Sequence, residues 1–185
     1  PYDGPRKPGT VGQPLPGVDI RVADPDSGKP LPEGEIGSIE IKGPNVFKGY
    51  WQMPEKTAAE FREDGFFISG DLGKFDADGY LSIVGRSKDL IITGGYNVYP
   101  AEIENAIDAQ PGVAESAVIG VPHSDFGEAV TAVIVAKDGR DLDEDRLRSA
   151  LEPVLARFKL PKRFVQLDAL PRNTMGKVQK KALRE

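Results

Sequence analysis

Residues 85–104 read GRSKDLIITGGYNVYPAEIE, and the change of pattern inside this stretch decides the fold. The polar run GRSKDL separates two apolar patterns and marks a joint. Beyond it, Gly94 and Gly95 lie between LIIT and YNVY, the composition of a tight hairpin turn between two short strands. Pro100 then stands where a helix tolerates proline best, at its first turn. Glu102 and Glu104 follow near the positive end of that helix, PAEIENAIDAQPG, where acids are favoured. Ile103, Ala106, Ile107 and Gln110 fall on one helical face.

Upstream of the joint the pattern is that of strands. In VDIRVAD, Val18, Ile20 and Val22 alternate with Asp19 and Arg21. PDSGKPLPEGE, with Asp26 and Gly28, is turn chemistry, and IGSIEIKG alternates again through Ile36, Ile39 and Ile41. An aromatic knot around Tyr50 and Trp51 reads as an anchor of this region, or as an edge near an adenine pocket, and Thr57 reads as the N-cap of a short helix. Two more strands flank the turn DADG. Short strands at close spacing predict a small barrel-like unit. Downstream, VAESAVIGV and EAVTAVIVA read as strands, and DEDRLRSALEPVLARF as a helix through Leu147, Leu151 and Leu155, bent or broken at Pro153. RFVQL is a last strand before the loop LPRNTMGKVQK. The expected architecture is mixed α/β: a small β-barrel-like subdomain over residues 1–87, then a compact C-terminal α/β domain over 88–185, joined by a hinge.

Composition narrows the chemistry. The chain has 185 residues, no cysteine and one histidine, His123, so thiolate catalysis, disulfides and His-rich metal sites are excluded and no metal site is expected. Its formal charge of −5 offers no overall basic field for nucleic acid. No apolar run approaches the ~20 residues that span a bilayer, and no membrane partner is expected. A cytoplasmic protein is the expectation. PYDGPRKPGTVGQPLPG, without an initiator methionine, reads as a loop entered from within a longer chain.

Two common phosphate cradles fail. Gly176-Lys177 is not a P-loop, because Pro171 stands five residues before Gly176 and Val178 follows Lys177. TGGYN is not a G-x-G-x-x-G fingerprint. Four other motifs occur in order: GEIGSIEIKGPNVFKGYW (34–51), FISGDL (67–72), GRSKDLIITGGYNVYPAEIE (85–104) and LPRNTMGKVQK (170–180). Together they resemble the last third of the adenylate-forming superfamily of acyl-CoA synthetases, adenylation domains and luciferases, and within it most resemble the malonyl-CoA synthetases.

The resemblance implies a two-step ligase. A carboxylate, malonate first among candidates, attacks the α-phosphate of MgATP, and coenzyme A then displaces AMP to give a thioester. Between the steps the small domain rotates against the N-terminal portion of the same enzyme. Asp71 of GDL is implied to accept hydrogen bonds from both ribose hydroxyls, and Arg86 to approach the ribose and phosphates. Lys88 matches the hinge position, which is also what a solvated linker lysine looks like. Gly94 and Gly95 match a turn bordering the pantetheine tunnel, although a plain hairpin would need glycine too. Lys177 matches the adenylation lysine that bridges carboxylate and α-phosphate, with Thr174 and Gly176 shaping its loop. Its acetylation by an acetyltransferase, reversed by a deacetylase, is a regulation the resemblance suggests. Lys180 stands where many relatives carry arginine. His123, in VPHSDFGE, is read as outside the chemistry. Three alternatives stay open: a ligase for another short or branched acid, a carrier-protein-loading adenylation domain, and a non-catalytic nucleotide-binding module.

Overall fold

A computed structural model of the chain describes residues 4–139 and 142–185. The chain forms two compact units, Pro1–Lys88 and Asp89–Glu185. Its class is mixed α/β.

In the first unit, strands β1 (Asp19–Ala23), β2 (Gly37–Lys42), β3 (Phe67–Phe75) and β4 (Leu81–Arg86) form an antiparallel meander in the order β1-β2-β3-β4. Val22, Ile39 and Leu81 are its buried centre, with Ile20, Leu31, Ile41 and Phe75 packed around them. The barrel-like closure expected from strand spacing does not form among the described residues: the sheet is open, with β1 and β4 as its edges. Loops of the same unit cover those edges instead. Val11 N–H donates to Leu81 O and Leu81 N–H to Gly12 O at the start of β4, and Leu31 N–H donates to Val22 O near the end of β1, so each edge is capped at one end.

Two further expectations change here. Helix α1 (Pro54–Glu60) starts at Pro54, so Thr57 lies inside it and is not its N-cap. The Thr57 hydroxyl donates to Met53 O and accepts Tyr50 N–H, pinning the preceding loop to the helix. Trp51 is no core anchor, being 86% exposed. The aromatic anchor is Phe47, whose ring meets those of Tyr50, Phe61 and Phe67 edge-on at 5.0–5.6 Å between centroids.

Glu40, on β2, is fully buried. Arg21 Nη2 approaches its Oε2 at 2.7 Å and Arg62 Nη2 its Oε1 at 2.8 Å. Asp64 pairs with Arg21 on the outer side at 2.6 Å. A buried carboxylate survives only when so compensated.

The second unit contains β5 (Ile91–Thr93), β6 (Tyr96–Val98), α2 (Pro100–Asp108), β7 (Val113–His123), β8 (Gly127–Ala136), α3 (Glu144–Leu151), β9 (Arg163–Gln166) and α4 (Lys180–Leu183). β7 and β8 pair antiparallel along their whole length. The other edge of β8 takes β5 at Gly127 and then β9, parallel, from Thr131 to Ile134. Alternation along these strands builds two cores. On one face Val118, Val130 and Ile134 meet Ile103 and Ile107 of α2 and Leu147 and Leu151 of α3. On the other, Ala117, Ile119 and Val133 meet Leu170, Val178 and Leu183 of the C-terminal segment. Asp143 caps α3 by accepting Arg146 N–H, and the helix ends at Leu151; Glu152 keeps helical torsions (φ −54°, ψ −41°), but Pro153 after it has no N–H to continue the ladder.

Candidate functional site

In the first unit Asp71 and Arg86 face one another as cross-strand partners on β3 and β4. Arg86 Nε lies 2.8 Å from Asp71 Oδ1, with the two side chains 53% and 26% exposed. Ser69 Oγ donates to Ile39 O and accepts Asp71 N–H, which fixes the backbone beneath the carboxylate. An ion pair this exposed is worth less than about 1 kcal/mol. Exchanging it for hydrogen bonds from a diol to Asp71 therefore costs little, and leaves Arg86 free for an anion. Lys88, the last residue of the first unit, is exposed within a short 3-10 turn, Ser87–Asp89.

In the second unit the β5–β6 hairpin turns at Gly94 (φ +56°) and Gly95 (φ +81°), a pair of left-handed residues as in a type I′ turn. Gly94 N–H donates to Phe126 O. A Cβ on Gly94 would meet the Phe126 ring at 3.9 Å, whereas one on Gly95 would meet nothing within 4 Å. Space lies over Gly95. Tyr96 stacks on Phe158 beside it, with centroids 4.6 Å apart.

Lys177 is exposed at the tip of a narrow loop. Arg172 and Val178 bridge its base, and Gln179 N–H donates to Pro171 O. Asn173 organises the tip: its N–H donates to Lys177 O, and its Oδ1 accepts the N–H groups of Met175 and Lys177 at 3.0 and 2.9 Å. Gly176 takes φ +77°, and its carbonyl accepts from Arg172 Nη1 at 2.7 Å. Arg172 also pairs with Glu115 at the start of β7. The lysine backbone is thus held while its side chain projects outward. The shaping hydrogen bonds come from Asn173 and Arg172, where sequence reasoning had singled out Thr174. An Asn followed by a Gly three residues on is a turn signal that points to Asn173.

Lys180 pairs with Glu104 of α2 at 2.6 Å, an anchor that helix-dipole reasoning about Glu104 did not foresee. His123 Nδ1 accepts Asp125 N–H and its ring packs on Phe126, a loop-shaping role. Among the described residues no cluster of three or more acidic or histidine side chains is placed to hold a metal ion. No helix among them is long and apolar enough to cross a membrane.

Comparison with known proteins places the chain in a family. The AMP-binding enzyme family matches residues 1–51, and the AMP-binding enzyme C-terminal domain matches residues 102–177. The crystal structure of ATP-bound MatB from Rhodopseudomonas palustris is 66% identical, with a TM-score of 0.94 over 100% of this chain and 37% of that one. Malonate–CoA ligase of Arabidopsis thaliana is 42% identical over 196 residues, covering 100% of this chain and 32% of the relative. Feruloyl-CoA synthase of an Amycolatopsis species is 48% identical over 176 residues, covering 95% and 35%. The chain spans about a third of the length of the relatives it matches. It belongs to the AMP-binding, adenylate-forming enzyme superfamily.

Proposed function

We propose that the chain is the C-terminal portion of an ATP-dependent acid–CoA ligase, which forms an acyl-adenylate and then an acyl-CoA, with malonate as the acid. The observation that carries the reading is the 66% identity to MatB, crystallised with ATP, sustained over the whole chain. The relative named malonate–CoA ligase supports the choice of acid. Residues 1–88 would complete the large domain and 89–185 form the small mobile one, with Lys88 as the pivot. The cytoplasm, where ATP and CoA are at hand, is the proposed setting.

The chemistry follows from the side chains. Asp71 accepts the two ribose hydroxyls of ATP, and Arg86, released from it, faces the phosphates. The ammonium of Lys177 lies between the acid's carboxylate and the α-phosphate, offsetting the charge that builds as the carboxylate oxygen attacks and pyrophosphate leaves. Magnesium would travel with ATP; the described residues offer it no ligand cluster. In the second step the CoA thiol attacks the acyl carbon, AMP leaves, and the pantetheine arm passes over Gly95, where no side chain intrudes. Acetylation of Lys177 would remove its charge and act as an off-switch for the first step.

Strand β7 supports two separate working ends. The Lys177 loop is tied to Glu115 near its start, and the Gly94–Gly95 turn lies by Phe126 and Gly127, just past His123 at its end. Eight residues of strand at about 3.3 Å each separate Glu115 from His123, roughly 26 Å. Two loops so far apart on one rigid unit suit two successive steps at a single centre.

The test is ATP–pyrophosphate exchange by the full-length protein over a panel of carboxylic acids. Malonate is expected to give the highest kcat/KM and methylmalonate the next. Preference for acetate or a long-chain acid would remove the malonate assignment and keep the ligase. Nucleotide binding without exchange for any acid would favour a binding module. A second prediction concerns Gly95→Leu, whose side chain would enter the space over the turn. Leucine at φ +81° also strains the turn, but the turn lies far along β7 from the Lys177 loop. Thioester formation from supplied malonyl-adenylate is therefore expected to fall at least about tenfold while adenylate formation stays within about twofold. Unchanged thioester formation would remove the tunnel role.

A further inference from the structure

We propose that Glu104 and Lys180 form a latch that positions Lys177, so that this ion pair sets the rate of adenylate formation without touching substrate. The inference rests on the adenylation reading of Lys177 given above.

Lys177 sits on a loop fastened at both ends. The leading end is held by Arg172, which grips Gly176 O and Glu115. The trailing end is held three residues after Lys177, where Lys180 opens α4. Its Nζ lies 2.6 Å from Glu104 Oε1, and the side chains are only 17% and 19% exposed. α4 has four residues, too few to be stable by itself. Val178 and Leu183, packed on the sheet, hold it from below; Arg184 at its C-terminal end pairs with Asp89, and the Glu104–Lys180 pair holds its first residue.

Glu104 is a fixed anchor. The same Oε1 accepts Val118 N–H at 2.7 Å. Val118 is on β7, an edge strand of the sheet, whose outward N–H groups have no neighbouring strand among the described residues. The carboxylate is thus clamped between a helix whose Ile103 and Ile107 are fully buried and the longest strand of the unit. Lys180 takes its position from that junction and passes it to Lys177 through Val178 and Gln179, Lys177 itself being bonded through its backbone to Asn173. A half-buried pair with one rigid partner holds direction as well as distance, unlike the exposed pairs elsewhere on the chain.

The experiment uses full-length protein carrying Lys180→Met, Lys180→Arg or Glu104→Gln, with Lys177→Ala as control. Glu104→Gln keeps an oxygen for Val118 N–H and removes the charge that holds Lys180. Each variant is read by hydrogen exchange of the amides of residues 173–179 and by single-turnover rates of adenylate formation and of transfer from supplied acyl-adenylate. Lys180→Met and Glu104→Gln are expected to raise exchange in the loop about tenfold and to slow adenylate formation about ten- to a hundredfold, as for a reacting group displaced by about an ångström. Transfer is expected to stay within about twofold, and Lys180→Arg to restore loop protection and adenylation to within about threefold. Unchanged exchange in both charge-removing variants overturns the latch. Faster exchange with unchanged adenylation overturns its positioning role. Equal loss of both half-reactions also overturns it, because that is what a merely destabilised domain gives. If Lys177→Ala itself leaves adenylation intact, the inference falls together with the reading it rests on, and that control tells the two failures apart.

Discussion

Lys177→Ala in the full-length protein is expected to slow acyl-adenylate formation by about 10²–10³-fold, the usual cost of removing one preorganised group aimed at developing charge. Transfer from supplied acyl-adenylate to CoA is expected to be spared. The selectivity follows from the loop: Asn173 and Arg172 hold its backbone by bonds that do not involve the Lys177 side chain, so its truncation leaves the loop in place. Lys177 is exposed, so truncation also leaves no cavity. Single-turnover measurement of each half-reaction decides. If both steps fell equally, Lys177 would serve the domain rather than one reaction, and the assignment of its loop to adenylation would be lost.

Glu40→Ala is expected to destabilise the first unit by about 3 kcal/mol, near the lower end for breaking a buried ion pair. The lower end applies because Arg21 and Arg62 keep 18% and 22% exposure and can recover some water when their partner goes. Arg62 also retains its bond to Pro25 O and Arg21 its pair with Asp64. Hydrogen exchange of the β2 and β3 amides measured with and without denaturant reports the loss for this unit alone. A loss below about 1 kcal/mol would mean that the network behaves as a surface cluster despite its burial.

Glu40 also shows where a sequence stops being legible. Between Ile39 and Ile41 it reads as the outward residue of a half-buried strand, and it does lie on the opposite face. That face is covered too, by Arg21 and Arg62, brought from 19 and 22 residues away in sequence, so only the fold reveals the burial. Glu104 and Asn173 were hidden in the same way. Glu104 takes its meaning from Val118 and Lys180, and Asn173 from amides that approach only once the loop has closed. Local backbone chemistry, by contrast, was open to reading. Gly94-Gly95 made the hairpin, Pro100 opened α2, and α3 stopped short of Pro153, because in each case the cause, a permitted torsion or a missing N–H, belongs to the residue itself. Sheet closure was not readable, since it depends on whether loops reach the edge strands before those strands reach each other. Asp71 and Arg86 were legible as members of motifs, but their pairing required the register of β3 and β4.

Arg184 reaches back to Asp89, with Nη2 3.3 Å from Oδ1, so the second unit grips its own first residue. On the other side Arg86 is still in β4, paired in register with Asp71. Only Ser87 and Lys88 lie between two anchored residues, which leaves four soft torsions in the connection. A long flexible tether would surrender about 1–2 kcal/mol of backbone entropy for every residue ordered each time the unit settled. With two residues that toll is small and nearly the same in any resting orientation. With the proposed pivot at Lys88, the connection would act as a swivel with few settings, and a substitution that fixes φ there, such as Lys88→Pro, is expected to limit which of them the protein can visit.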